Sequence, residues 1–255
     1  MKLLDTKILS NVEIAEGIFS MHLHAPAVAA AAKPGQFAMV YMNKGELLLP
    51  RPISICDVDG DIVRIVYQVV GMGTKVMAQK FEGDTVKILA PLGRGFLLGK
   101  DARTGLNNVA IVGGGIGTPP LLYLAKKLKA QGAKVDVYLG FRHEAILQQV
   151  FEQVADNLYI ATESGNVGHR GRVLEVIESV GGRYDEILAC GPRPMLNAVA
   201  DYAHAQGIHC QISTEERMAC GLGTCVGCSI KVSGTYLRVC TEGPVFYSDE
   251  VNKHE

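Results

Sequence analysis

Apolar and polar positions follow three successive patterns along the chain. Up to about residue 100, short runs rich in β-branched residues lie between turn residues. Val63 to Val70 and Thr85 to Leu89 read as strands, and Asp59, Gly60 and Asp61, set between two apolar stretches, read as a hairpin turn. An antiparallel β-barrel is expected there. From about residue 107 strands alternate with helices. Asn108 to Val112, Lys134 to Leu139, Leu158 to Ala161, Glu186 to Cys190 and Ile208 to Ile212 read as strands, with helices at Pro119 to Ala130, Glu144 to Val154, Arg172 to Ser179 and Pro194 to Gln206. That alternation predicts an open parallel α/β sheet. From about residue 214 neither period survives, and Met218 to Gly227 reads as a loop wrapped closely around something. The patterns predict three units, 1–101, 102–213 and 214–255.

Composition narrows the function classes. Of 255 residues 48% are hydrophobic and 20% charged, which excludes a disordered chain. The 25 Lys plus Arg and 26 Asp plus Glu are interleaved, with a net charge of −1, so no basic field exists for nucleic acid or an anionic membrane. No run approaches the ~18 uncharged apolar residues of a membrane span, and Asp5 stands where a signal peptide is apolar, so a cytoplasmic protein is expected. Seven cysteines in a reducing compartment do not suggest disulfides. Cys56 and Cys210 read as small core residues.

The other signal is a spacing. Cys220-x4-Cys225-x2-Cys228, followed after eleven residues by Cys240, is the plant-type 2Fe-2S pattern. Zinc sites more often pair two C-x2-C units, which leaves a zinc-stapled nucleotide-sensing module as the non-enzymatic alternative. Gly221, Gly223 and Gly227 lack Cβ atoms, so the backbone can curl and point N–H groups at the sulfurs.

Two glycine turns point to phosphates. Gly113, Gly114, Gly115 and Gly117 lie between a buried strand and a helix, where backbone N–H groups and the helix dipole favour a pyrophosphate. Thr118 stands where the strict dinucleotide fingerprint has its third glycine, so tight packing is the competing reading. Cys190, Gly191 and Pro192 repeat the strand–turn–helix arrangement later in the same sheet, at the strand ends where open α/β sheets bind ligands. Arg51, Pro52, Ile53 and Ser54 set a cation beside a rigid proline with a hydroxyl nearby, and Gly73 and Thr74 begin a short helix suited to a second anion. Two anion sites on separate units suggest two cofactors.

Together these motifs resemble the ferredoxin-reductase-type flavoproteins. Glu215 to Met218 before the cysteine motif and Glu242 to Phe246 after it narrow the likeness to the electron-transfer subunits of NAD-linked, class 1B dihydroorotate dehydrogenases. The resemblance covers essentially the whole chain. It implies that Arg51, Pro52, Ile53 and Ser54 line an FAD, with Arg51 at its pyrophosphate and Ser54 near flavin N5. It implies Val66, Tyr67 and Gln68 along the flavin and ribityl chain, and Gly73 and Thr74 at the phosphates. Gly113 to Thr118 and Cys190 to Pro192 would border NAD. Gln68 stands where related sequences often carry arginine, which leaves Arg51 as the main cation, and Arg142 is a candidate for a 2′-phosphate although the family implies NAD. The implied partner is an FMN-containing dihydroorotate dehydrogenase catalytic subunit, two copies of each forming a heterotetramer in pyrimidine biosynthesis. No acid–base pair stands out, so dihydroorotate chemistry is expected on the partner. A ferredoxin or sulfide reductase subunit is the alternative on the same scaffold.

Overall fold

The computed structural model describes residues 1–42, 45 and 47–251; residues 252–255, the end of the expected third unit, lie outside the described residues. The β-branched runs of the first unit form β1 (Lys2–Ala15), β2 (Ile18–His24), β3 (Phe37–Tyr41), β4 (Arg51–Asp59), β5 (Ile62–Gln68) and β6 (Thr85–Leu92). Helices α1 (Pro26–Ala29) and α2 (Met72–Ala78) fall between them. The strands close antiparallel in the order β1-β2-β5-β4-β3-β6, which leaves no free edge. Alternation along β5 sends Val63, Ile65 and Tyr67 inward to meet Met21, Leu23, Ile55 and Ile88. The β4–β5 hairpin turns at Gly60, whose φ of +53° suits glycine.

The alternating region forms β7 (Asn108–Gly114), α3 (Pro120–Ala130), β8 (Lys134–Phe141), α4 (Gln148–Glu152), β9 (Asn157–Thr162), β10 (His169–Arg170), α5 (Val173–Val180), β11 (Glu186–Cys190), α6 (Arg193–Ala205) and β12 (His209–Ser213). Its central strands are apolar on both faces: Val109 and Ile111 meet α3, while Ala110 and Val112 meet α5 and α6 residues such as Ile177 and Val199. The helix expected over Glu144 to Val154 is reduced to α4, because Leu147 takes a left-handed φ of 60° and the buried Ile146 is drawn into the core.

The last region forms the hairpin β13 (Ser229–Val232) and β14 (Thr235–Arg238), then β15 (Val245–Tyr247). β15 joins the preceding sheet, antiparallel to β12, so the order is β10-β9-β8-β7-β11-β12-β15. A sheet otherwise parallel thus has an antiparallel edge supplied from the cysteine-bearing region. No helix among the described residues is long and apolar enough to cross a membrane.

Polar contacts join the units. Lys126 of α3 pairs with Asp57 of β4, and the Tyr123 hydroxyl donates to the Ala32 carbonyl at 3.2 Å. Gln211, fully buried, accepts from the Leu97 N–H at 2.8 Å and donates to the Leu97 carbonyl at 3.0 Å and to the Glu186 carboxylate at 2.7 Å. Gln211→Leu takes one of two side-chain donors from the buried Glu186 carboxylate, which keeps Thr104, and leaves the Leu97 N–H and carbonyl without this partner. The expected cost is about 2 kcal/mol, read as a lower denaturant midpoint at unchanged slope.

Candidate functional site

The cysteine loop curls where glycine allows it. Gly221 and Gly223 have φ of 68° and 78°, and a Cβ at Gly221 would meet Met39 Cγ at 2.6 Å, so the loop lies directly on barrel strand β3. Backbone N–H groups converge on Cys220 Sγ, from Leu222 at 3.3 Å and from Cys225 at 3.5 Å. Burial acts to raise the Cys220 thiol, but the N–H groups of Cys225 and Leu222 outweigh it and bring it down to about 6. Cys228 precedes β13 and Cys240 follows β14; the Val239 N–H donates to the Cys228 carbonyl at 3.1 Å and closes this end of the hairpin. Both thiols are buried with Phe37, Met39, Leu92 and Phe246. Burial, reinforced by Cys228, pushes Cys240 up to about 12.

The donors therefore meet as two pairs, Cys220 with Cys225 and Cys228 with Cys240. A single zinc ion takes all four donors at one centre. Two irons, each taking two thiolates, match two pairs. A Cβ at Gly227 would sit in ordinary contact, 3.8 Å from Cys225 Sγ, so space alone does not require that glycine. The residues fit a 2Fe-2S cluster.

The two glycine turns of the α/β sheet form one construction. Gly113 and Cys190 are register partners on β7 and β11. A Cβ at Gly117 would stand 2.5 Å from Gly191 Cα, and one at Gly191 would stand 3.0 Å from Gly114 N, so backbone packs on backbone. Met195 and Pro192 close over Gly114. Gly115, at φ +51°, faces open space. α3 and α6 begin beside it, with prolines in their first turns, so both positive helix ends lie at the strand carboxyl ends. Thr118 lies beneath the turn, fully buried, its hydroxyl without a hydrogen-bond partner among the described residues. Burial pushes the Cys190 thiol up to about 12, so it stays protonated.

On the barrel, Arg51 and Gly73 come together: the guanidinium lies where a Gly73 Cβ would have to be, and it donates to the Leu49 carbonyl. This sets a cation at the start of α2. The Thr74 hydroxyl caps that helix, donating to the Gly71 carbonyl at 3.1 Å and accepting from the Val70 N–H at 2.9 Å. Pro52, Ile53 and Ser54 continue along β4, half-buried, with Ile53 packed toward the barrel core. The Tyr67 side chain points into the barrel, stacked on Phe19 at 5.8 Å and donating to Asn11 Oδ1 at 3.0 Å, so its ring is committed to the barrel core. Gln68 is exposed, and Val66 faces the sheet, sharing an apolar cluster with Val109, Ile111 and Cys190. β5 also touches the Gly115–Gly117 turn. The two groups of residues read separately from the sequence therefore adjoin. Sequence reasoning missed Arg238 and used Glu242 only as part of the resemblance, without seeing that the two tie the cysteine loop; the signal available was an Arg/Glu pair four apart flanking Cys240.

Residues 215–252 match the model of the iron-sulfur cluster binding domain of dihydroorotate dehydrogenase B. The chain is 42% identical over 249 residues to the dihydroorotate dehydrogenase B (NAD(+)) electron transfer subunit of Caldanaerobacter subterraneus subsp. tengcongensis, covering 96% of each. It is 39% identical to the same subunit of Clostridium perfringens, again with 96% of each covered. Among solved structures it resembles a chain of an NADH-dependent reduced ferredoxin-NADP oxidoreductase, with TM-score 0.87 and 30% identity over 97% of this chain and 89% of that one. A ferredoxin NADP+ reductase from Neisseria gonorrhoeae, with bound FAD and NADP, shares the fold at TM-score 0.66 and 17% identity, over 81% of this chain and 92% of that one. With curated relatives matched end to end and its C-terminal domain matched by its own model, the chain belongs to the family of electron transfer subunits of dihydroorotate dehydrogenase B (NAD(+)).

Proposed function

We propose that the chain carries electrons from a dihydroorotate-oxidising, FMN-containing partner subunit to NAD+, in the cytoplasm, as half of an assembly with two copies of each subunit. The observation that carries this reading is the meeting of β5 with the Gly115–Gly117 turn, where Val66 and Cys190 share one apolar cluster. Residues suited to a flavin and residues suited to a nicotinamide nucleotide are then neighbours, as direct hydride transfer requires. Cys220, Cys225, Cys228 and Cys240 hold a 2Fe-2S cluster. Arg51, Pro52, Ile53, Ser54, Val66, Tyr67, Gln68, Gly73 and Thr74 hold FAD. Gly113, Gly114, Gly115, Gly117, Thr118, Cys190, Gly191 and Pro192 hold NAD. A flavin bound there exchanges electrons singly with an iron–sulfur centre and in pairs, as hydride, with a nicotinamide.

The chain's own residues do the positioning. Arg51 supplies positive charge for a pyrophosphate beside α2, and Gly73 leaves room for the guanidinium. Gly115 offers open backbone to the second pyrophosphate, and Gly117 and Gly191 set the separation of the two nucleotide turns. Val66 and the protonated Cys190 belong to the apolar cluster where the two groups of residues adjoin, and would keep water from a flavin and a nicotinamide held there.

The test is purification from the source organism, followed by assay of the separated subunits. The isolated chain should show flavin and iron absorbance and oxidise NADH with an artificial acceptor, yet turn over no dihydroorotate. Dihydroorotate oxidation without a second polypeptide refutes the division of labour. The 30% identity to the ferredoxin-linked chain favours one second reading, an NADH-linked ferredoxin reductase subunit. Co-purification with a ferredoxin-reducing partner in place of a dihydroorotate-oxidising one selects it.

A further inference from the structure

Arg238 ends β14, two residues before Cys240, and its guanidinium is spoken for on every side. Nε and Nη2 donate to the two carboxylate oxygens of Glu242 at 3.0 and 2.6 Å, while Nη1 donates to the Gly223 carbonyl at 3.1 Å. The Arg238 N–H donates to the same carboxylate at 2.7 Å, so the fork is held at both ends. Gly223 lies between the first two cysteines of the motif. On either side of it, the Leu222 and Cys225 N–H groups donate to Cys220 Sγ at 3.3 and 3.5 Å.

We propose that Arg238 is a positioning residue for the iron–sulfur ligand loop: clamped by Glu242, it pins the Gly223 carbonyl and so holds the Leu222 and Cys225 N–H groups on either side against the Cys220 sulfur. This rests on the cluster assignment made above. A charged donor holds a loop carbonyl more firmly than a neutral one, so the stretch from Leu222 to Cys225 is kept in one geometry around the sulfur. Hydrogen bonds to ligand sulfur favour the more negative, reduced cluster and raise its reduction potential. The residue then helps raise a plant-type centre toward a range useful to NAD.

The experiment is a redox titration followed by electron paramagnetic resonance, on the full chain in complex with its partner. Arg238→Met should lower the cluster potential and change the line shape of the reduced signal, while the flavin potential stays at its parent value. Plain charge predicts the same sign for that variant, because it leaves Glu242 unpaired. Arg238→Met with Glu242→Gln removes the pair without changing net charge, and its potential should remain below the parent's. Return of the double variant to the parent potential and line shape overturns the positioning role. Should Met cost the cluster itself, Arg238→Lys keeps the charge without the fork, and an unchanged potential and spectrum in that variant also overturns it. The parent is measured first: a parent without a 2Fe-2S signal sinks the cluster assignment and this inference with it, whereas a parent with the signal and unmoved variants sinks this inference alone.

Discussion

Cys220→Ser removes the cluster and cuts electron flow between dihydroorotate and NAD+ in the assembled complex by roughly 100-fold or more, since even outer-shell changes at metal sites cost 10–100-fold. The reason lies in how this sulfur is prepared. The N–H groups of Cys225 and Leu222 offset burial and bring its thiol down to about 6, so a thiolate is available to iron near neutral pH. A serine hydroxyl in the same place stays protonated and is a poor ligand. NADH oxidation with an artificial acceptor should stay within about twofold of the parent, because Arg51, Gly73 and the nucleotide turns lie in the barrel and the α/β sheet. Iron content, flavin content and the two activities are the measurements. Equal loss of flavin and iron would show that the cysteine loop also holds the flavin site in shape, through the Met39 wall it shares with the barrel.

What the sequence revealed, and what it hid, follows from the range of the interactions involved. β11 runs from Glu186 to Cys190 as the apolar run predicts, because a central parallel strand is buried on both faces and its period needs no partner to be seen. The hairpin at Gly60 is equally local. The helix expected from Glu144 fails because Leu147 adopts a left-handed turn while Ile146 packs into the core, and tertiary packing overrides local periodicity there. β15 is three residues long, and only its docking on β12 makes it a strand. The site divides the same way. The cysteine spacing and both glycine turns are compact motifs, whereas the joining of Arg51 to Gly73, of Gly117 to Gly191, and of Arg238 to Gly223 is long-range contact. Tyr67 shows the limit of motif reading by itself: alternation places its ring in the barrel core and its two neighbours on the other side.

Gly117→Ala tests the joined turns. Its new methyl would meet Gly191 Cα at 2.5 Å and Gly191 N at 2.6 Å, which are backbone atoms on a neighbouring strand end with no side chain to rotate away. The turns must separate, at about 1–3 kcal/mol for overpacking and about 2–4 °C of Tm per kcal/mol in a chain of this size. The functional loss is larger than the stability loss. A shift on the order of 1 Å in a positioning element costs roughly 100-fold in rate, so kcat/KM for NADH with an artificial acceptor should fall by about that factor. Flavin and iron absorbance should remain. Gly207→Ala is the control: Gly207 has φ +67° with nothing within 4 Å of its added Cβ, so it carries backbone strain without a clash and lies after α6, away from the turns. It should lower Tm on a similar scale, about 1–2 kcal/mol, and leave the NADH kinetics alone. If both variants lose kcat/KM equally, general destabilisation explains the effect and the contact between Gly117 and Gly191 does not set the nucleotide geometry.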